Sequence, residues 1–359
     1  MDLNIKYEYK ESTGHIRLVS ETNIEDFLIE IYGERYRDYR ERWKKAGKLE
    51  AIEDFPLSLE FETNNTCNYA CSMCIYAEKS ELHPDYRDKQ PKGNMDFELY
   101  KRIIDEASEH RMPAATYGFW CEPLLHPKIV DMIDYGTRRG LIDMRIGTNG
   151  QLLDDNKAKG FIDAGLQRLE VSLDAFTKET FEKVRIGGDF DKVVRNIHNF
   201  LELRAKMNAK LPLLRVSFCK LDLNAHELDD FVGYWKQYAD YFSIQDPINV
   251  FESKPGVHPL VRFETPREKP KFKCAKASHR MWMRFNGNGQ SCGYPAAWAE
   301  FTLGTFPQDS LHKMWHHATQ DMLRKLHTEG RYYDHPLCHT CALYTQVSEE
   351  NYQDDTAIV

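Results

Sequence analysis

Thr66-Cys67-Asn68-Tyr69-Ala70-Cys71-Ser72-Met73-Cys74 follows closely on the alternating run Leu57-Ser58-Leu59-Glu60-Phe61. The three cysteines are spaced C-x3-C-x2-C. Three thiolates can hold three irons of a 4Fe–4S cluster and leave the fourth iron open to a small-molecule chelator. The competing reading is a zinc knuckle. Zinc ordinarily takes four closed ligands from paired cysteines, and three cysteines just past one strand fit that poorly.

Outward from this stretch, residues 56–250 alternate strand and helix patterns. Strands are expected at Leu57–Phe61, Ala115–Phe119, Asp143–Thr148, Arg168–Leu173, Leu213–Cys219 and Tyr241–Gln245. Helices are expected from the Asp96 cap to Glu109, at Lys128–Arg139 ended by Gly140, and at Asp154–Ala164, Thr177–Val184, Phe190–Lys206 and Ala225–Ala239. Strands separated by helices imply parallel crossovers and an α/β fold. Before this region, residues 1–55 hold short strand-like pieces and one charged helical stretch, Ile24 to Lys48, which reads as an N-terminal packing appendage or an arm that grips substrate.

The chain has 359 residues, 42% apolar and 29% charged, enough for a large core. Its net charge is −8 and no long basic run occurs, so no nucleic-acid partner is expected. The sequence has no apolar run long enough for a membrane span and no N-terminal signal pattern, so a cytoplasmic protein is expected. Nine cysteines in a reducing compartment point to metal binding or catalysis rather than disulfides.

With the C-x3-C-x2-C loop after the first strand, and Tyr69 between its first two cysteines, the chain resembles the radical S-adenosylmethionine (SAM) superfamily. That resemblance implies a partial (β/α)6 TIM-like barrel with its chemistry at the carboxyl ends of the strands. It implies a 4Fe–4S cluster on Cys67, Cys71 and Cys74, with SAM bound at the open iron. Gly118-Phe119-Trp120-Cys121-Glu122-Pro123 resembles the family's GGE-type motif, in which a backbone edge and a carboxylate receive the methionine amino group. Glu122 is the matching residue, and Cys121 departs from the commoner glycine. Asn149 and Ser172, at the ends of the third and fourth strands, and Arg185 match residues that relatives turn towards the ribose and the methionine carboxylate. Cleavage of SAM would give a 5′-deoxyadenosyl radical that removes hydrogen from an unactivated C–H bond.

Residues 251–272 are rich in Pro, Lys, Glu and Arg and read as a linker, and Gln346–Val359 reads as a disordered tail. Between them a second cysteine set reads C274-x17-C292-x45-C338-x2-C341. Asn286-Gly287-Asn288-Gly289 signals a hairpin that would draw Cys274 and Cys292 together. A helix is expected over Leu311–Leu326. Four cysteines also suit tetrahedral zinc. This region resembles the SPASM/Twitch subgroup, and because no further cysteine follows Cys341 it is similar to a Twitch-type domain over residues 251–359. The resemblance implies one auxiliary 4Fe–4S cluster, fully ligated by Cys274, Cys292, Cys338 and Cys341.

A fully ligated second cluster can take an electron but cannot bind substrate. The expected activity is therefore a two-electron oxidation of a hydroxylated small molecule; in this layout the chain resembles radical dehydrogenases of sugars and aminocyclitols, which implies such a substrate and flavodoxin or ferredoxin as electron donor. The alternative is a maturase or epimerase of a ribosomally made peptide, for which Cys219 is the candidate hydrogen donor. Strand alternation puts Cys219 on one face with Arg215 and Ser217. Glu60 and Glu62 are candidates for the barrel lumen, and Arg284 for a contact with substrate.

Overall fold

Alternation within Leu59–Phe61, Met144–Ile146, Leu169–Val171 and Leu214–Phe218 gives each strand an apolar face and a polar one. In the computed structural model, which describes residues 15–18, 24–74, 92–245, 274–293 and 301–339, these strands assemble into one sheet. The elements run β1 (His15–Leu18), α1 (Ile24–Tyr32), α2 (Glu34–Gly47), β2 (Ser58–Phe61), α3 (Phe97–Glu109), β3 (Ala114–Tyr117), α4 (Ile129–Arg138), β4 (Asp143–Thr148), α5 (Asp155–Asp163) and β5 (Arg168–Ser172). They continue with α6 (Lys178–Val184), α7 (Phe190–Lys206), β6 (Leu213–Cys219), α8 (Leu228–Trp235), β7 (Tyr241–Gln245), α9 (Lys276–His279), β8 (Arg280–Met283), β9 (Asn288–Gln290), β10 (Thr302–Thr305), α10 (Leu311–Trp315) and α11 (Ala318–Thr328).

The strand order is β1-β7-β6-β5-β4-β3-β2-β8-β9-β10. From β2 to β7 the neighbours are consecutive and parallel, with Glu60 opposite Thr116, Thr116 opposite Arg145, Arg145 opposite Arg168, and Glu170 opposite Arg215. This is the expected (β/α)6 arrangement of a partial barrel. Both edges are extended. β1 pairs antiparallel with β7, while β8 pairs in parallel with β2 and leads into the antiparallel β8–β9–β10 meander.

The helices form where caps and periodicity indicate. Asp96, Asp154 and Asp189 each accept a backbone N–H from the first turn of the following helix, at 2.9, 2.8 and 3.0 Å. Tyr100, Ile103, Met132, Phe161, Ile197, Phe200 and Phe231 bury the apolar strand face in one core with Leu59, Phe61, Tyr117, Ile146, Leu169, Val216 and Phe218. Burying each such side chain is worth about 1.5–3 kcal/mol. Two expected helices are each broken. Ile24–Lys48 splits at Gly33, whose φ of +65° is a left-handed conformation that ends α1. Leu311–Leu326 splits between α10 and α11, because the His317 ring caps α11 by accepting the Thr319 N–H at 3.2 Å.

The polar strand face is also buried, and its charges neutralise one another. Arg215 pairs with Glu170 at 2.5 Å, Arg280 with Glu60 at 3.2 Å, and Arg168 with Asp143 at 3.0 Å. Arg145 donates to the Thr116 hydroxyl at 3.0 Å. Buried pairs of this kind are costly to break singly, because the surviving charge is stranded.

α2 lies against the amino ends of the strands, where Tyr39 Oη donates to Asp143 Oδ2 at 3.1 Å and Arg168 donates to Tyr36 Oη at 2.7 Å. Trp43 stacks on His279 with centroids 4.1 Å apart. Residues 24–47 therefore pack at the end of the barrel opposite the carboxyl ends of the strands. The expected linker, the boundary at residue 250 and the expected tail lie outside the described residues. No helix of the described residues is long and apolar enough to cross a membrane.

Candidate active site at the carboxyl ends of the strands

The cluster loop, residues 62–74, is tied down from both sides. Asn64 Nδ2 donates to Glu122 O at 3.0 Å, and the Glu122 N–H donates to Thr66 O at 2.9 Å, which laces it to the loop after β3. The Ala70 and Ser72 N–H groups donate to Ile186 O and Val184 O at 2.8 and 2.9 Å, which laces it to the end of α6. Tyr69 is buried and donates to Gln151 Oε1 at 2.8 Å. The aromatic between the first two cysteines thus anchors the loop to the turn after β4.

Cys71 is buried, and Cys67 and Cys74 are half-buried. Burial pushes the Cys71 thiol up to about 12, the Arg185 guanidinium pulls it down, and Cys74 and Cys67 add to the rise through their charge. Three soft sulfur donors that feel one another, one beside a guanidinium, fit iron ligation, which would deprotonate the thiols outright.

The other expected site residues surround this loop. Glu122 is buried, with Oε1 accepting from the Thr148 hydroxyl at 2.7 Å and the Leu124 N–H at 3.0 Å, and Oε2 from the Asn149 N–H at 2.7 Å. Burial raises its pKa, and these donors oppose the rise. In this structure Glu122 therefore fixes the turn after β4. Gly118, with φ +102°, begins this motif where a Cβ would come within 2.3 Å of Gly147 O. Asn149 Nδ2 donates to Asn68 Oδ1 at 2.8 Å and lies 3.9 Å from Cys67 Sγ. Ser172 accepts from the Ser217 hydroxyl at 3.3 Å.

Arg185 points Nη1 at Cys71 Sγ, 3.5 Å away, and pairs through Nη2 with Asp174 Oδ2. Asp174 ends the Ser172-Leu173-Asp174 stretch, two residues beyond Ser172, at a φ of +59°. Among the described residues, Arg185 Nε and Asn68 Nδ2 are buried donors with no hydrogen-bond partner. Orphaned donors beside the cluster loop fit the carboxylate and hydroxyls of a bound SAM.

Cys219 is buried at the end of β6, packed with Val184, Leu221 and Met73 of the cluster loop, and its N–H donates to Asp174 Oδ1 at 2.7 Å. It shares the polar strand face with Arg215 and Ser217. Cys121 lies 3.7 Å from the Thr63 hydroxyl, with its thiol pushed up to about 12 by burial. His126 is buried and capped on both ring nitrogens by backbone, Met95 O at 2.8 Å and the Lys128 N–H at 3.1 Å.

In the second cysteine set, Cys292 and Cys338 pack with Leu337 against Ala277, Phe301 and Leu323. The Cys274 N–H donates to His327 Nδ1 on α11 at 3.1 Å. Cys341 lies outside the described residues. The three described cysteines thus gather around α9, α11 and the end of the β8–β9 hairpin.

Glu60, Glu62, Phe119, Trp282, Arg284 and Gln290 line a small cavity. Arg284 Nε donates to Glu62 Oε2 at 3.2 Å. Trp282 and Gln290 face each other across the hairpin, and among the described residues Trp282 Nε1 and Gln290 Oε1 are buried without a hydrogen-bond partner. Neither residue stands out in the sequence, because only the β8–β9 register brings them together.

Comparison with known proteins bears on this site. Residues 61–214 match the family model described as the Radical SAM superfamily. A probable GTP 3′,8-cyclase of Methanocaldococcus jannaschii is 25% identical over 201 residues, which is 56% of this chain and 62% of that protein. The mycofactocin maturase MftC of Mycobacterium tuberculosis is 25% identical over 186 residues, 52% of this chain and 43% of MftC. The chain thus spans less than two thirds of these curated relatives. The structure of BtrN in complex with AdoMet and 2-DOIA is 19% identical, covers 83% of this chain and 97% of BtrN, and superposes with a TM-score of 0.52.

Proposed function

We propose, from the premise that residues 61–214 constitute a radical SAM domain, that the protein cleaves SAM and oxidises a hydroxylated small molecule by two electrons. The radical SAM family implies one 4Fe–4S cluster and SAM. Cys67, Cys71 and Cys74 would hold the cluster, and with SAM bound it supplies one-electron sulfonium cleavage to methionine and a 5′-deoxyadenosyl radical. Arg185 Nε and Asn68 Nδ2, which lack partners among the described residues, would receive SAM's carboxylate and a hydroxyl, with Asn149, Ser172 and the Glu122 turn forming the rest of the cradle. Cys274, Cys292, Cys338 and Cys341 would hold a second cluster, whose contribution is an electron acceptor.

The observation that supports oxidation is the polar lining of the small cavity at Glu62, Trp282 and Gln290. The Trp282 Nε1–H offers a donor and Gln290 Oε1 an acceptor, both desolvated and unmatched, which suits a ligand bearing hydroxyl or amino groups. Glu62, held by Arg284, is the carboxylate positioned to take a hydroxyl proton. A hydrogen atom leaves carbon, a proton leaves oxygen and one electron goes to the acceptor, so the alcohol becomes a ketone. Phe119 and Trp282 wall the pocket and exclude water. Flavodoxin or ferredoxin is the proposed reductant.

The test uses reduced, reconstituted protein with polyols and aminocyclitols, measuring 5′-deoxyadenosine and product mass. Oxidation gives a product two mass units lighter, with one deoxyadenosine per turnover. A product of unchanged mass that carries solvent deuterium refutes it. That result favours a peptide maturase or epimerase, a reading supported by the similarity to MftC and by the packing of Cys219 against Met73.

A further inference from the structure

We infer that Asp54, His312 and His316 form a site for a borderline divalent transition metal, apart from both cysteine sets. His312 and His316 are four residues apart, on α10 and at its carboxyl cap, so both rings project from one helical face. Asp54, in the segment that enters β2, lies opposite them. His312 Nε2 is 3.5 Å from Asp54 Oδ2, and His316 Nε2 is 3.4 Å from Asp54 Oδ1. One ligand atom from each residue falls within 4.8 Å of the others. Ligands about 2.0–2.2 Å from a tetrahedral ion stand about 3.3–3.5 Å apart, so the two measured separations already match a coordination edge.

The three groups are held by contacts other than their own. Trp315 Nε1, next to His316, donates to Glu53 O at 2.7 Å and fixes the backbone beside Asp54. The His312 N–H donates to Glu106 Oε1 at 3.0 Å. The His110 ring stacks on Phe55 with centroids 4.1 Å apart and lies 5.5 Å from the His312 ring. His316 Nε2 lies 3.0 Å from Asp54 O. Metal binding would exchange that contact for coordination by a neutral imidazole.

Two imidazoles and one carboxylate select zinc, cobalt, nickel or copper over magnesium or calcium, which prefer all-oxygen sites. The side chains are 80%, 44% and 42% exposed for Asp54, His312 and His316, so an ion can enter from solvent and keep water as a further ligand. The ion would clasp the entrance of β2 to α10, and so brace the sheet edge that carries the Cys292 hairpin.

The test is a cobalt(II) and zinc titration of the full-length, cluster-reconstituted protein. One cobalt should bind beyond the iron sites, with ligand-field bands and no thiolate charge-transfer band. Saturating zinc should raise the thermal midpoint by about 3–5 °C. The His312→Ala/His316→Ala double variant should lose both effects and keep its iron content and SAM cleavage. Should that variant fold poorly, Asp54→Asn leaves α10 intact and should weaken cobalt binding at least about tenfold. Equal binding by wild type and variants, a thiolate band, or no cobalt beyond the iron sites overturns the assignment.

Discussion

Arg185→Lys separates two roles that the structure gives to one side chain. The guanidinium of Arg185 pairs with Asp174 through Nη2 and contacts Cys71 Sγ through Nη1 at 3.5 Å, while its buried Nε has no partner among the described residues. If Arg185 serves only to neutralise Asp174 and the cluster loop, a lysine keeps the charge and most of the effect. If Nε also receives the SAM carboxylate, lysine lacks the planar fork that can make all three contacts at once. The lost interaction is a hydrogen bond to a charged group, worth about 1.5–3 kcal/mol, which at about 1.4 kcal/mol per decade weakens SAM binding about 10- to 150-fold. The assay is SAM affinity of the reduced protein, read from the cluster's EPR signal during titration, with iron and sulfide content as the control for an intact cluster. Unchanged SAM affinity at full iron content refutes the SAM role of Arg185. Lost iron would make it a support of the cluster loop instead.

Three further outcomes are expected. Asp143→Asn leaves Arg168 buried without its carboxylate and loosens the Tyr39 contact; it should lower stability by about 3–5 kcal/mol, measured by denaturant unfolding, and a loss under 1 kcal/mol would contradict the pairing. Trp282→Phe removes a donor that has no partner among the described residues, so substrate KM should rise about 2- to 10-fold while SAM cleavage without substrate stays unchanged, as steady-state kinetics would reveal. Burial lowers the His126 pKa below 6.5; the unfolded ring binds its proton first, so stability is full above 6.5 and falls as acid titrates the folded ring. His126→Gln should flatten the decline in unfolding free energy below pH 6.5, and an unaltered slope would assign it to other groups.

Where local chemistry suffices, the reading of the chain matches the structure. Asp143–Thr148 and Leu213–Cys219 begin and end where expected, because alternation and flanking turn residues mark both ends. The Asp96 cap acts as read, while Asp154, read as the first helical residue, is the cap of α5. The split helices miss for local reasons too subtle for periodicity, a left-handed Gly33 and a histidine cap at His317. The polar faces of β5 and β6 are legible as alternation, but alternation cannot say whether such a face meets water or closes on itself. Here Glu170 and Arg215 meet inside the sheet.

The sequence by itself determined the alternation of strands and helices, the thiol-rich loop after the first strand, and the likeness of the residues at the strand ends to a known family. Those features are local, because each rests on spacing within one element or one turn. Only the tertiary structure decided which groups face one another across elements. It set Arg185 on Asp174 and Cys71, put unmatched Trp282 and Gln290 atoms in the pocket, brought Asp54 against His312 and His316, and sent α2 to the far end of the barrel. Such juxtapositions depend on register and chain closure, and neither is encoded within a single stretch of sequence.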